Sequence, residues 1–197
     1  MRTISYQILT GQEILPWLDE LAQLRIDVFR EFPYLYDGSL SYEQQYLKTY
    51  ASSERSLFVL AFEGDQVIGT ATGIPLADET DEFKRPFIEQ DWNPAEIFYF
   101  GESVLRPQYR GRGIGVRFFA EREAYARSLP GHRWCCFCAV ERPVDHPMRP
   151  PGYTTLHQFW RNRGYQHQPA LRTEYEWKEL GEAQASPKPM SFWLKEL

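Results

Sequence analysis

The sequence predicts an α/β fold of the α+β kind, a single domain over residues 1–197 with a mixed central sheet of about seven strands and about four flanking helices. Three observations carry this. Short alternating or apolar runs of strand length recur along the chain, interleaved with segments of helical period. A hairpin precedes the glycine-rich strand-to-helix turn at 110–115, so the sheet holds antiparallel neighbours rather than being doubly wound. No internal repeat and no shift in composition marks a second domain.

Taken in order, residues 3–9 alternate weakly and predict a first strand. Residues 13–29 bring Ile14, Leu18, Leu21, Arg25 and Val28 to one face at steps of three and four, an amphipathic helix that Pro33 ends. An aromatic-rich loop follows at 31–38. A second helix over 42–50 stacks Tyr42, Tyr46 and Tyr50, with Ser41 as its expected N-cap. Strands at 56–62 and 67–74 flank the turn Glu63-Gly64-Asp65-Gln66 and form the hairpin. Residues 75–94 carry many charges, three prolines and no clear period, and read as loop with one helical turn at most. A strand over 97–105, the glycine turn and a helix over 116–128 come next. Leu129-Pro130-Gly131 breaks that helix, and 133–140 forms another strand. A proline-rich loop spans 142–152. A helix carrying Leu156, Phe159 and Trp160 ends at Gly164, and 171–179 alternates as a strand. The tail 189–197 is apolar enough to pair as the last strand, covering its own sheet or a partner's, so a homodimer stays open.

The chain of 197 residues is 43% hydrophobic, enough for one sizeable core. No apolar run reaches the ~18 residues of a membrane span. The opening residues Met1 to Tyr6 lack the apolar centre of a secretion signal, so a cytoplasmic location is expected. Net charge is −5, which argues against a general nucleic-acid binder. Yet residues 101–133 hold seven Arg and three Glu, a basic island of +4 in a remainder of −9. Such an island suits a small polyanion. Arg117, Arg122 and Arg127 also fit a solvated helix face. The three cysteines, Cys135, Cys136 and Cys138, share one strand and cannot readily pair, so they read as small core residues in a reducing compartment. Neither they nor the four histidines make a spaced ligand set, and no metal is expected.

Arg110-Gly111-Arg112-Gly113-Ile114-Gly115 is the segment that speaks to chemistry. Three glycines at alternate positions between a strand and a helix let backbone N–H groups converge on an anion, with Arg110 and Arg112 adding charge. A dinucleotide fingerprint is disfavoured because the turn comes late and lacks the ribose-binding acid about twenty positions on. A Walker loop is excluded, since no Gly-Lys-Ser/Thr follows.

The run Val104-Leu105-Arg106-Pro107-Gln108-Tyr109-Arg110-Gly111-Arg112-Gly113-Ile114-Gly115 resembles the acyl-CoA pyrophosphate loop of the GNAT superfamily of N-acetyltransferases. Phe159-Trp160-Arg161-Asn162-Arg163-Gly164-Tyr165 is similar to that family's later helix and its aromatic-x-x-x-Gly-aromatic ending, and the element order agrees along nearly the whole chain. The resemblance implies a sheet splayed between its fourth and fifth strands and acetyl-CoA as acyl donor. It implies that backbone groups of Ser103, Val104 and Leu105 pair with the pantetheine arm. Gly111, Gly113, Ile114, Gly115 and Val116 would hold the pyrophosphate, helped by Arg110 and Arg112. The reaction implied is acetyl transfer to a primary amine by direct attack in a ternary complex, the acceptor being a small molecule or, alternatively, a protein. A non-catalytic acyl-CoA sensor is the rival reading.

Within that resemblance Glu102, just before the pantetheine-pairing segment, is the leading candidate for the base. The family's usual acid, a tyrosine four residues before the closing glycine, is replaced by Trp160, whose indole cannot serve as an acid. Tyr153, seven residues earlier, is the substitute candidate. His146 beside Asp145 is a second candidate base. The acceptor wall is expected from the segment between the first two helices, with Tyr34, Tyr36 and Asp37 as contacts.

Overall fold

The computed structural model describes residues 3–197, so Met1 and Arg2, which opened the segment read for a secretion signal, lie outside the described residues. The strands are β1 (Ile4–Thr10), β2 (Leu57–Glu63), β3 (Gln66–Pro75), β4 (Ile97–Tyr99), β5 (Ser103–Leu105), β6 (Trp134–Val140), β7 (Gln166–Trp177) and β8 (Ser186–Glu196). The helices are α1 (Leu18–Phe29), α2 (Leu40–Ala51), α3 (Asp81–Ile88), α4 (Ile114–Ser128) and α5 (His157–Arg161). They form one mixed sheet in the order β1-β2-β3-β4-β6-β8-β7, with β5 pairing β3 beside β4. β4 and β6 are parallel; every other pairing is antiparallel.

Alternation along β2 shows how the sheet divides its core. Phe58, Leu60 and Phe62 pack with Leu21, Leu24 and Leu47 on the α1–α2 face, while Leu57, Val59 and Ala61 pack with Phe118 and Phe119 of α4 on the other. Each of these large side chains, removed from water, contributes about 1.5–3 kcal/mol.

The expected elements are present, with five differences. The first helix begins late: residues Gly11–Trp17 wind as a 3-10 turn containing Pro16, which has no N–H to donate, and α1 starts at Leu18. α2 starts two residues earlier than expected, and Ser39 rather than Ser41 caps it, accepting the Tyr42 N–H. Residues 81–88, expected as loop, form α3, whose buried Phe83 and Phe87 lie one turn apart among charged neighbours. β7 starts at Gln166, with a bulge before Arg172, and β8 is a central strand between β6 and β7, so the apolar tail covers its own sheet. Finally, 97–105 is two strands, which together with α3 brings the totals to eight strands and five helices.

That last break shapes the site. β4 pairs β6 over Ile97–Tyr99, and a bond from the Phe100 N–H to the Cys136 carbonyl (2.7 Å) closes the contact. The register against β3 then shifts by one residue, a bulge across Phe100-Gly101-Glu102. β5 stays with β3 while β6 runs on along β8, so the sheet splays where the fourth predicted strand meets the fifth.

Arg122 of α4 fills the break. It is 1% exposed, and the exposed Arg117 and Arg127 alone fit the solvated face expected of all three. Its guanidinium donates to the carbonyls of Thr72 (3.2 Å) and Glu102 (3.0 Å) and to Ser103 Oγ (2.7 Å), and stacks 4.2 Å over the Phe100 ring. Burial pushes its pKa down to about 10, which leaves it charged at neutral pH. Arg122→Leu should lower stability by about 3 kcal/mol in urea denaturation, because it removes three buried charge-assisted hydrogen bonds across the break; a loss below about 1 kcal/mol would show the break holds without it.

Candidate functional site

The splay opens into a cleft of about 1220 Å³ that runs from the glycine turn, past β5, to the loops around α1 and α2. At one end Gly111 and Gly113 have φ of +76° and +81°, a region open to glycine at little cost, and a Cβ on either would meet nothing within 4 Å. No side chain caps α4. Its first-turn N–H groups therefore face open space, which fits a pyrophosphate at a helix N-terminus. Gly111, Gly113, Gly115, Val116 and Arg110 line the cleft; Ile114 is buried beneath it. Arg110 pairs with Glu31 (2.9 Å), whereas Arg112 stacks over Tyr109 (5.1 Å) outside the lining.

Along the middle, the Glu102 carbonyl and the Arg106 N–H bond to β3. Strand alternation then turns the backbone groups of Ser103 and Leu105 to the open edge, and those of Val104 toward β3. Of the three residues expected to pair with pantetheine, Ser103 and Leu105 face this edge, where the Leu105 carbonyl accepts from Arg110 Nε (3.3 Å), and the Val104 side chain belongs to the core.

Glu102 stands at the junction, 6% exposed. Its Oε2 lies 2.5 Å from Arg25 Nη1 and accepts from the Tyr46 hydroxyl (3.4 Å). Arg25 Nε also pairs with the buried Glu43, and the guanidinium stacks 4.1 Å over the Tyr46 ring. Burial works against the charge on Arg25, but the Glu102 and Glu43 carboxylates hold its pKa well above the ordinary value. Glu102 Oε1 is buried and has no hydrogen-bond partner among the described residues. Sequence reasoning placed Arg25 on the face of the first helix without a role and did not single out Glu43. The one available signal was a charged side chain on the apolar stripe of α1.

Beyond Glu102 the walls are aromatic: Tyr36, Tyr42, Tyr46, Phe83, Tyr99 and Tyr175 all line the cleft. Their hydroxyls are largely spent on one another or on the protein, Tyr42 on Tyr175 (2.8 Å) and Tyr99 on Cys138 (3.1 Å). Burial, then the neighbouring Glu43, raises the Tyr36 pKa. Tyr34 also lines the cleft, its backbone held by Arg142 and by Trp177 Nε1 (3.0 Å). Asp37 does not: it pairs at the surface with Lys178 (2.9 Å) and Arg30 (3.6 Å), which keep its pKa low.

Tyr153 lines the cleft, its ring against Phe32 (4.7 Å) and under Arg149 (5.0 Å), and burial raises its pKa. His146 lies outside the lining, where its Nδ1 accepts the Met148 N–H and its ring packs on Phe32 (5.5 Å). That bond shapes the proline-rich loop, and Asp145 beside it is exposed. Trp160 is wedged between Phe137 and Trp193, 5.0 Å from each. Among the described residues no cluster of His, Cys, Asp or Glu is arranged to hold a metal ion, and no helix is long and apolar enough to cross a membrane.

A splayed mixed sheet whose cleft has an uncapped glycine turn at one end and a buried carboxylate midway along it is a frame suited to an acyltransferase. The profile of the acetyltransferase (GNAT) family matches residues 18–165, and the chain belongs to that family. Solved structures share the fold at low identity. An acetyltransferase from Thermus thermophilus is 17% identical, with a TM-score of 0.59 over all of both chains. Arabidopsis thaliana NAA60 in complex with acetyl-CoA is 13% identical, with a TM-score of 0.62 over 99% of each chain. The ribosomal-protein-alanine N-acetyltransferase of Brucella melitensis is 16% identical, with a TM-score of 0.60 over 97% of this chain and 99% of that one. No curated protein matches the sequence.

Local geometry sets two expectations. Gly113→Ala should cost about 1–2 kcal/mol of stability by forcing a left-handed alanine, whereas Gly115→Ala, whose Cβ would make only an ordinary contact with Phe159, should be near neutral; equal losses would contradict this. Burial raises the pKa of all three thiols, Cys138 up to about 12. A thiol-reactive dye should therefore label none of them rapidly at pH 8 in the native protein and all three after unfolding.

Proposed function

We propose that the protein moves the acetyl group of acetyl-CoA to the primary amine of a small, singly charged, largely apolar molecule, by direct attack in a ternary complex. The observation that carries this reading is the buried, unpartnered Glu102 Oε1 at the point where the cleft's two ends meet. In this reading the α4 N-terminus and its glycine turn receive the pyrophosphate, and the free edge of β5 at Ser103 and Leu105 aligns the pantetheine arm. The thioester is then laid beside Glu102.

An alkylammonium with a pKa of ~10.4 must lose a proton before it can attack. Glu102 Oε1 would take it as general base, with Arg25 fixing the other oxygen. Tyr153 would donate to the departing thiolate in place of the absent family tyrosine. Charge supports the acceptor class: in the Arg25 cluster one guanidinium is shared by two buried carboxylates, Glu43 and Glu102, and Glu102 keeps one oxygen free of it to meet a cation. The aromatic walls, whose hydroxyls are already engaged, offer ring faces rather than free polar groups. A polyamine or a polyhydroxylated amine would find too few partners there.

Thiol release should be measured with acetyl-CoA and 2-phenylethylamine, spermidine, kanamycin and a dipeptide. The arylalkylamine should be preferred by about tenfold or more in kcat/KM, a difference of about 1.4 kcal/mol; preference for spermidine or kanamycin would overturn the charge argument. Glu102→Gln should lower kcat by about 10²-fold or more while acetyl-CoA affinity holds. Retained turnover would remove Glu102 as the base.

A further inference from the structure

Glu79 is a buried acid that this chemistry leaves unused. It is 4% exposed, lies just before α3, and has no cation within salt-bridge distance among the described residues. Its Oε1 accepts from the Tyr50 hydroxyl (2.6 Å) and its Oε2 from the Thr80 N–H (2.7 Å). Tyr50 in turn accepts from Tyr46 (3.2 Å), and Tyr46 reaches Glu102 Oε2 (3.4 Å). The close seating of Tyr50 is enforced by Gly101, where a Cβ would stand 2.2 Å from the Tyr50 oxygen. An unbroken file of oxygens thus joins the carboxylate at the reacting end of the cleft to a second carboxylate about one helix turn deeper along α2. Asp78 and Thr80, on either side of Glu79, are exposed, so the file ends one residue from solvent.

We propose that Tyr46, Tyr50 and Glu79 form a relay that carries the acceptor's proton away from Glu102. This rests on the reading of Glu102 as the base. The amine N–H bond breaks as an Oε1–H bond forms, and a half-turn of the carboxyl presents that proton to the Tyr46 oxygen. Tyr46 passes its own hydroxyl proton to Tyr50, and Tyr50 passes its own to Glu79 Oε1. Each tyrosine stays neutral, no electron changes hands, Glu102 is left ionised for the next acceptor, and Glu79 gives its proton to water beside Asp78 and Thr80 before the next turnover. Tyr50 donates to Glu79, and the one Tyr46 proton lies within reach of both Tyr50 and Glu102 Oε2, so the file can be swung toward Glu79. Burial raises the Glu79 pKa, which favours holding the arriving proton. A carboxylate buried with two neutral donors and no cation is costly to keep for packing alone.

The test uses acetyl-CoA and 2-phenylethylamine with four proteins: unaltered, Tyr50→Phe, Glu79→Gln and the double variant. Tyr50→Phe keeps the buried ring and removes only the link, so it reports even if Glu79→Gln folds poorly. Each single change is expected to lower kcat five- to tenfold with both KM values within twofold, and the double variant to lose no more than the worse single, because both cut one path. Singles that keep kcat within twofold, or losses that multiply in the double variant, overturn the relay. If these variants are silent while Glu102→Gln collapses, the base stands and the relay alone fails. No turnover by the unaltered protein overturns both.

Discussion

The break between β4 and β5 is the constraint on which the rest of this structure depends. A sheet cannot splay without leaving backbone groups unpaired in its interior, and unpaired buried carbonyls are costly. Here Arg122 spans the break, adding a second donor to the Thr72 and Glu102 carbonyls, which already accept backbone N–H groups, and tethering Ser103 in the same fork. A lysine could not reach several acceptors in one plane while stacking on Phe100. With the break held open, β5 keeps a free edge, Glu102 is turned toward the cleft, and α4 is anchored with its N-terminus at the cleft mouth. One side chain therefore links the donor end, the acceptor end and the fold.

The acceptor end applies the same physics to charge. Arg25, Glu43 and Glu102 come from α1, α2 and the β4–β5 bulge, and each would be expensive to bury by itself. Together they leave one carboxylate oxygen without a partner, so the cluster is stable yet still able to bind. The surrounding rings lower the local dielectric and strengthen any contact made to that oxygen. The Tyr46–Tyr50–Glu79 file leaves the same cluster in the opposite direction, joining two carboxylates by hydrogen bonds along one face of α2.

Some of the site was legible in the chain. The glycine turn announced itself because alternate glycines before a helix have few other uses, and Glu102 followed from its place just ahead of the strand segment. Other features were hidden by the same local reasoning. Arg122 looked like its neighbours Arg117 and Arg127, since helical period alone does not reveal what stands opposite a face. Asp37 and His146 drew attention by residue type, yet their partners Lys178 and Met148 tie them into surface structure. α3 was obscured because its two buried phenylalanines are outnumbered by charges.

The sequence by itself determined the class of fold, the hairpin, the glycine turn ahead of α4 and the membership of the family, because these follow from local period, backbone freedom and short-range spacing. Only the tertiary structure decided which charges are buried together and which backbone edge is left free. It also decided where β8 inserts, placing the last segment between β6 and β7. Those outcomes depend on contacts between residues far apart in the chain, such as Arg25 with Glu102 and Arg122 with Thr72, whose cost or benefit exists only once burial has removed water from around them.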